Sequence, residues 1–168
     1  MKATHLLELQ HRHIENLFSQ IIRVPPDALA LLVDLADHWV AHMAIEQNLF
    51  YPAVRKVKPE AVAESYEQHA VAEYALKRLL VAGPHDKTFK AKATVLKELV
   101  ERHVEEEERD LLLAVEAAMN EEQLQALGRQ MQANYDAAVA AGYQTGLPKT
   151  YGQTSADVAM NRGPRPSA

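Results

Sequence analysis

The sequence predicts an all-α protein: an up-down-up-down four-helix bundle with an additional C-terminal helix and an extended tail. Three observations predict it. Four long segments carry apolar residues at helical spacing. The breaks between them are short and punctuated, at Val24-Pro25-Pro26, Lys58-Pro59 and Gly83-Pro84, and short connections between long amphipathic helices favour antiparallel neighbours. Aromatic residues are sparse, at 6% of the chain, and glycine is low over most of the length.

Each element follows from its own residues. Thr4 is the expected N-cap of a first helix that runs to about Arg23, with a stripe of Leu7, His11, Ile14, Phe18 and Ile21. Pro26 or Asp27 opens the second, which continues to about Lys56. Its stripe is Ala28, Leu31/Leu32, Leu35, His38/Trp39, His42, Ile45/Glu46, Leu49 and Ala53, and Pro52 is expected to kink or end it. The third helix starts near Pro59 and ends at Gly83-Pro84, on Val62, Tyr66, His69, Glu73, Leu76 and Leu80. The fourth begins around Asp86 to Thr88 and reaches about Met119, with Leu96, Leu99/Val100, His103, Glu107, Leu111 and Ala114 inward. A fifth, Glu121 to about Ala140, carries Leu124, Leu127 and Met131 and no inward histidine or carboxylate. Residues 1–141 form the bundle with its fifth helix. Residues 142–168 shift to Gly, Pro, Thr, Ser and Asn and form an extended tail, which cannot build a core of its own. Leu147, Tyr143 and Tyr151 are the residues that would strap it across the bundle.

Composition narrows the function. At 168 residues, 48% hydrophobic and 24% charged, the chain has an ordinary globular make-up. A net charge of -5 leaves no basic footprint for nucleic acid. No run approaches the length needed to cross a bilayer, and the N-terminus has no apolar signal region, so no membrane partner is expected and the cytoplasm is the default location. Cysteine is absent, which removes disulfides, thiolate metal sites and cysteine nucleophiles.

The anomaly lies in the stripes. Positions facing the core hold His42 and Glu46, His69 and Glu73, His103 and Glu107, three His-x-x-x-Glu pairs, together with His11. Residues i and i+4 stand one above the other on a helix face, so both can aim at a common point. A lone pair of this kind is ordinarily a solvated ion pair. Here the depths coincide: at about 1.5 Å per residue, all seven side chains fall within roughly two turns of one layer of an antiparallel bundle. A buried carboxylate requires a cation. Imidazole with carboxylate and no thiolate suits iron, manganese or zinc, and seven donors suit two six-coordinate ions with bridging carboxylates better than one. Glu105, Glu106 and Glu108 are expected in solvent, with Glu106 a distant alternative ligand. His5, His13 and His85 are expected on the surface. His38 is a candidate partner or alternative ligand. Among the tyrosines Tyr66 is the one nearest the stripe of His69.

The segments QHRHIENLF (10–18), HMAIEQNLFYP (42–52), YEQHAVAEYALKRL (66–79) and RHVEEEERDLLL (102–113) together resemble the hemerythrin-like family, the HHE cation-binding domains. The resemblance implies a four-helix bundle with two non-heme iron ions in an Fe–O–Fe type centre, manganese or zinc being alternatives. It implies ligands at His11, His42, Glu46, His69, His103 and Glu107, with Glu46 and Glu107 bridging. Oxygen-carrying members have a second histidine where this chain has Glu73, and other HHE domains have a glutamate where it has Met43. Glu73 is therefore the expected remaining ligand, one that favours the ferric state and shortens the life of an O2 adduct.

The function expected from this resemblance is binding or sensing of a small diatomic ligand, O2 or NO, with no nucleic acid or membrane partner. Its alternatives are a di-iron redox enzyme acting on peroxide or nitric oxide, an iron-binding or storage protein, and a helical bundle with adventitious zinc or manganese.

Overall fold

The computed structural model describes residues 1–148 and Ser155. Six helices account for it: α1 (Ala3–Ile21); α2, Ala28–Ile45 continued through Glu46–Phe50 and Tyr51–Val54; α3 (Pro59–Ala82); α4, Phe89–Glu106 continued through Glu107–Leu112 and Leu113–Ala118; α5 (Glu121–Ala141); and the short α6 (Tyr143–Gly146). α1 packs on α2, α2 on α3, α3 on α4 and α4 on α1, which closes a four-helix bundle. α5 lies outside, against α1 and α2. Asn120 caps it: its side chain accepts from the Gln123 N–H at 2.9 Å while Gln123 returns the bond at 3.0 Å. A Cβ on Gly128 would come within 2.4 Å of the Met1 carbonyl oxygen, so only glycine lets α5 approach the start of α1 this closely. The expected cap at Thr4 is corrected: Lys2 is the capping position, and the Thr4 hydroxyl donates to Glu116 of α4 instead.

Both α2 and α4 contain a wide π turn beginning at the glutamate of a His-x-x-x-Glu pair, Glu46–Phe50 and Glu107–Leu112. A π turn adds one residue, so the buried stripe slips by one position beyond it. The expected Leu49 and Ala53 give way to Phe50, Tyr51 and Val54; the expected Ala114 gives way to Leu112 and Val115. Pro52 neither ends α2 nor stops its stripe. Its ring conflicts with the carbonyl one α-turn earlier, and the wide turn relieves that conflict. The turn in α4 has no proline, so proline is not its cause.

The apolar core divides in two. Ile14, Phe18, Leu35, Trp39, Leu76, Leu96 and Val100 belong to one cluster, and Leu7, Ile45, Phe50, Tyr51, Val62, Leu111 and Val115 to the other. Between them lies a buried polar layer. Ala28–Val54 is long and apolar enough to cross a membrane by length and composition, with a mean hydropathy of 1.4, which corrects the expectation that no run approaches this length. More than half of its apolar window, 56%, is buried inside the bundle. The start of the tail docks as a strap. Tyr143 and Leu147 pack on the first cluster, and the Tyr143 N–H donates to Asp37 Oδ1 at 2.7 Å. Tyr151 lies outside the described residues.

Candidate metal centre

His11, His42, Glu46, His69, His103 and Glu107 are all buried in the polar layer, each at 2% exposure or less. They form two groups of donor atoms within 4.8 Å of one another. One is His11, His42, Glu46 and Glu107; the other is Glu46, His69 and His103. Glu46 belongs to both. Its Oε2 lies 3.1 Å from His42 Nε2 and 3.1 Å from His69 Nε2. His69 and His103 approach Nε2 to Nε2 at 3.1 Å, and Glu107 Oε2 lies 3.4 Å from His11 Nε2. The chemistry of these donors fits a metal cation. His11 Nε2, His42 Nε2, Glu46 Oε1 and both Glu107 oxygens are buried and make no hydrogen bond, a costly arrangement without a charge to satisfy them.

The outer nitrogens complete the pattern. His42 Nδ1 donates to Gln10 Oε1 at 2.9 Å, His103 Nδ1 to Gln68 Oε1 at 2.8 Å, and His11 Nδ1 to Glu108 Oε1 at 2.8 Å. The Gln47 amide sits 3.1 Å from His69 Nδ1, where one of its two orientations offers an oxygen. Each partner is the chain neighbour of an inner residue: Gln10 of His11, Gln47 of Glu46, Gln68 of His69, Glu108 of Glu107. Helix by helix, α1 holds a histidine of α2, α2 one of α3, α3 one of α4, and α4 one of α1. An oxygen acceptor on Nδ1 fixes the tautomer that leaves Nε2 free to ligate in His11, His42 and His103, and the Gln47 amide does the same for His69 in the orientation that presents its oxygen. Glu108 thus has a role at the centre that its place in the run EEEER concealed. Gln68→Leu is expected to weaken metal binding by about 10–100-fold, measured by competition with a chelator; an unchanged affinity would remove the ring from the account.

Glu73 is buried but joins neither group. Its Oε1 lies 2.7 Å from Lys77 Nζ, and its Oε2 accepts from the Ser155 N–H at 2.7 Å and from the Ser155 hydroxyl. It stands one turn beyond His69, toward the end of the bundle filled by Trp39. The Trp39 indole stacks on His42 with centroids 5.3 Å apart and meets His69 and His103 by its edge at 5.6 and 6.1 Å, sealing that side of the layer. Glu73→Gln is accordingly expected to retain the full metal content by elemental analysis. The oxygen donor on the other side is Tyr51. Its hydroxyl donates to Glu46 Oε2 at 3.2 Å and lies 3.3 Å from His69 Nε2. Five residues on, a side chain points about 140° away on an α-helix, but a π turn brings it back toward the same face. The Tyr51 N–H bonds to the Glu46 carbonyl across that turn. Tyr66 instead braces the turn, donating to the Gln47 carbonyl at 2.9 Å. Glu106 is engaged outside by Arg102 and Gln68. His38 faces α5 and Asp34.

The electrostatics are those of a site short of positive charge. Burial disfavours the charged form of His11, but Glu107 and Glu108 outweigh it and raise the imidazole to about 9. Burial and the charge of Glu46 push Glu107 up to about 8. Burial alone would raise Glu46 too; His42 and His69 outweigh it and hold that carboxyl well below the usual range. Without metal, His11 and Glu107 both bind protons more tightly in the folded chain than in the unfolded one. Such groups stabilise fully below their unfolded values, and the contribution is lost as pH rises through the folded ones. Above pH 6.5 both act in the same direction. The metal-free protein is therefore expected to lose thermal stability from about pH 6.5 to 9, and metal loading to flatten that slope. Metal-free melting temperatures that rise across the interval would contradict it.

A bundle that converges imidazoles and carboxylates from four helices on one dry layer belongs to the class of helical metal-binding proteins. The chain is a member of the hemerythrin HHE cation binding domain family, whose model matches residues 2–115. Its fold is also that of a crystal structure titled hemerythrin HHE cation binding domain-containing protein, an Rv2633c homolog from Mycobacterium kansasii. That likeness has a TM-score of 0.77 at 24% identity and covers 95% of this chain and 99% of the other. No curated protein matches the sequence.

Proposed function

We propose that this protein holds two non-heme iron ions and binds or senses a small diatomic molecule, O2 or NO, at an open coordination position between them. The observation that carries the reading is the Glu46 carboxylate common to two donor groups. One ion would be held by His11, His42, Glu46 and Glu107, the other by His69, His103 and Glu46, with Tyr51 within reach. When bound, such a pair supplies reversible ferrous–ferric chemistry and a place for the diatomic ligand. The chain's own residues do the rest. The outer ring keeps the proton of His11, His42 and His103 on the far nitrogen, Trp39 excludes water on one side, and Tyr51 offers a proton donor at Glu46 Oε2. A cleft of about 690 Å³ between α3 and α4, bounded by Ser65, Gln68, Arg102, Glu106, Glu107 and Asp110, supports entry of a ligand of this size.

Tyr51 also favours a second reading, a redox enzyme that consumes peroxide or nitric oxide, because a phenol beside two carboxylates stabilises the ferric state. One experiment separates them. Reduction without oxygen followed by air should give a persistent new absorption spectrum for a binding protein. Rapid bleaching with peroxide consumption indicates the enzyme, and no spectral change indicates zinc and contradicts both.

A further inference from the structure

A second cluster of metal-ligating side chains lies outside the bundle core, on the seam of α1, α2 and α5. His13 from α1 meets His38 from α2 edge to face, with ring centroids 4.4 Å apart and planes at 78°. His38 Nε2 lies 3.3 Å from Asp34 Oδ1, one helical turn earlier. Donor atoms of His13, Asp34 and His38 all lie within 4.8 Å of one another. The His38 and Asp34 side chains are 21% and 48% exposed, and His13 is exposed, so the cluster opens to solvent. The other nitrogen of His38 is not idle: Nδ1 lies 2.6 Å from the Tyr135 hydroxyl of α5. That is the outer hydrogen bond that sets the tautomer of a ligating histidine.

We propose that His13, Asp34 and His38 form a second, mononuclear site for a borderline divalent cation, zinc(II) above all, separate from the buried centre. Two imidazoles and one carboxylate with a solvent-facing fourth position match the donor set zinc accepts when one position stays open. Bonds of about 2.0–2.1 Å set tetrahedral ligand atoms about 3.3 Å apart; the His38–Asp34 pair already meets this, and exposed His13 closes the rest by a small side-chain rotation. Burial, and then the neighbouring His13, lower the His38 imidazole below its ordinary value, so it is neutral and able to ligate near pH 7. The buried centre and this site use the same two helices: His11 and His13, two residues apart, lie on opposite faces of α1, while His38 stands one turn before His42 on α2 and is partly open to solvent.

The test is zinc titration of the full chain with its buried centre already loaded with iron, read by calorimetry. Wild type should take up one further equivalent of zinc. His13→Ala and His38→Ala should each weaken that uptake roughly tenfold or more, Tyr135→Phe by about tenfold, and His5→Ala, at an exposed histidine elsewhere, should leave it unchanged. Circular dichroism confirms that each variant is folded, and iron content confirms that the centre is intact. Absence of a saturable further equivalent, or equal uptake by His38→Ala, would overturn the proposal.

Discussion

Glu46→Gln is expected to reduce bound iron from two ions per chain to one at most, measured by elemental analysis after gel filtration. Glu46 is the one residue common to both donor groups, and glutamine keeps its volume while removing the charge. A buried cation pair balanced by two carboxylates, Glu46 and Glu107, cannot lose one of them without cost. The fold should survive, because the neighbours of Glu46 are retained and the apolar clusters on either side do not depend on it. Two ions retained in Glu46→Gln would mean that this carboxylate does not bridge.

Glu107→Met should have the opposite signs in the two states of the protein. In the metal-free chain both Glu107 oxygens are buried without a hydrogen bond, and their nearest basic atom is His11 Nε2 at 3.4 Å. A buried polar group left without a hydrogen bond costs about 1–3 kcal/mol, and an apolar residue of similar volume removes that cost. His11 remains held by Glu108 through its other nitrogen. Metal-free Glu107→Met is thus expected to be more stable than metal-free wild type in chemical denaturation. The gain in stability that iron gives the wild type, which follows the ratio of free metal to Kd, should be strongly reduced in the variant. A destabilised metal-free variant would show that Glu107 serves packing rather than charge.

The sequence made the inward residues visible for a definite reason. Histidine and glutamate at apolar positions are costly, and three repeats at one depth leave little besides a cation to explain them. Six of the seven expected ligands do meet in one layer. What stayed hidden depends on backbone phase. Nothing in EQNLF or EERDLL announces a π turn, yet each shifts the stripe by one residue, which turns Tyr51 inward where Leu49 and Ala53 were expected. Glu73 fitted the α-helical spacing of α3, and Lys77 stands one turn on where i,i+4 spacing lets it engage that carboxylate; spacing cannot tell that Ser155 also binds it or that Trp39 fills the adjacent layer. The outer ring was legible only in retrospect: Gln10, Gln47, Gln68 and Glu108 each adjoin an inner residue in sequence, but which histidine each one holds depends on how neighbouring helices pack.

Crystals of the iron-loaded protein, with anomalous scattering recorded at the iron edge, test the central claim most directly. Two peaks are predicted within about 4 Å of each other, one beside His11, His42 and Glu107 and one beside His69 and His103, with the Glu46 carboxylate between them. A single peak, or two peaks that do not share Glu46, would contradict it.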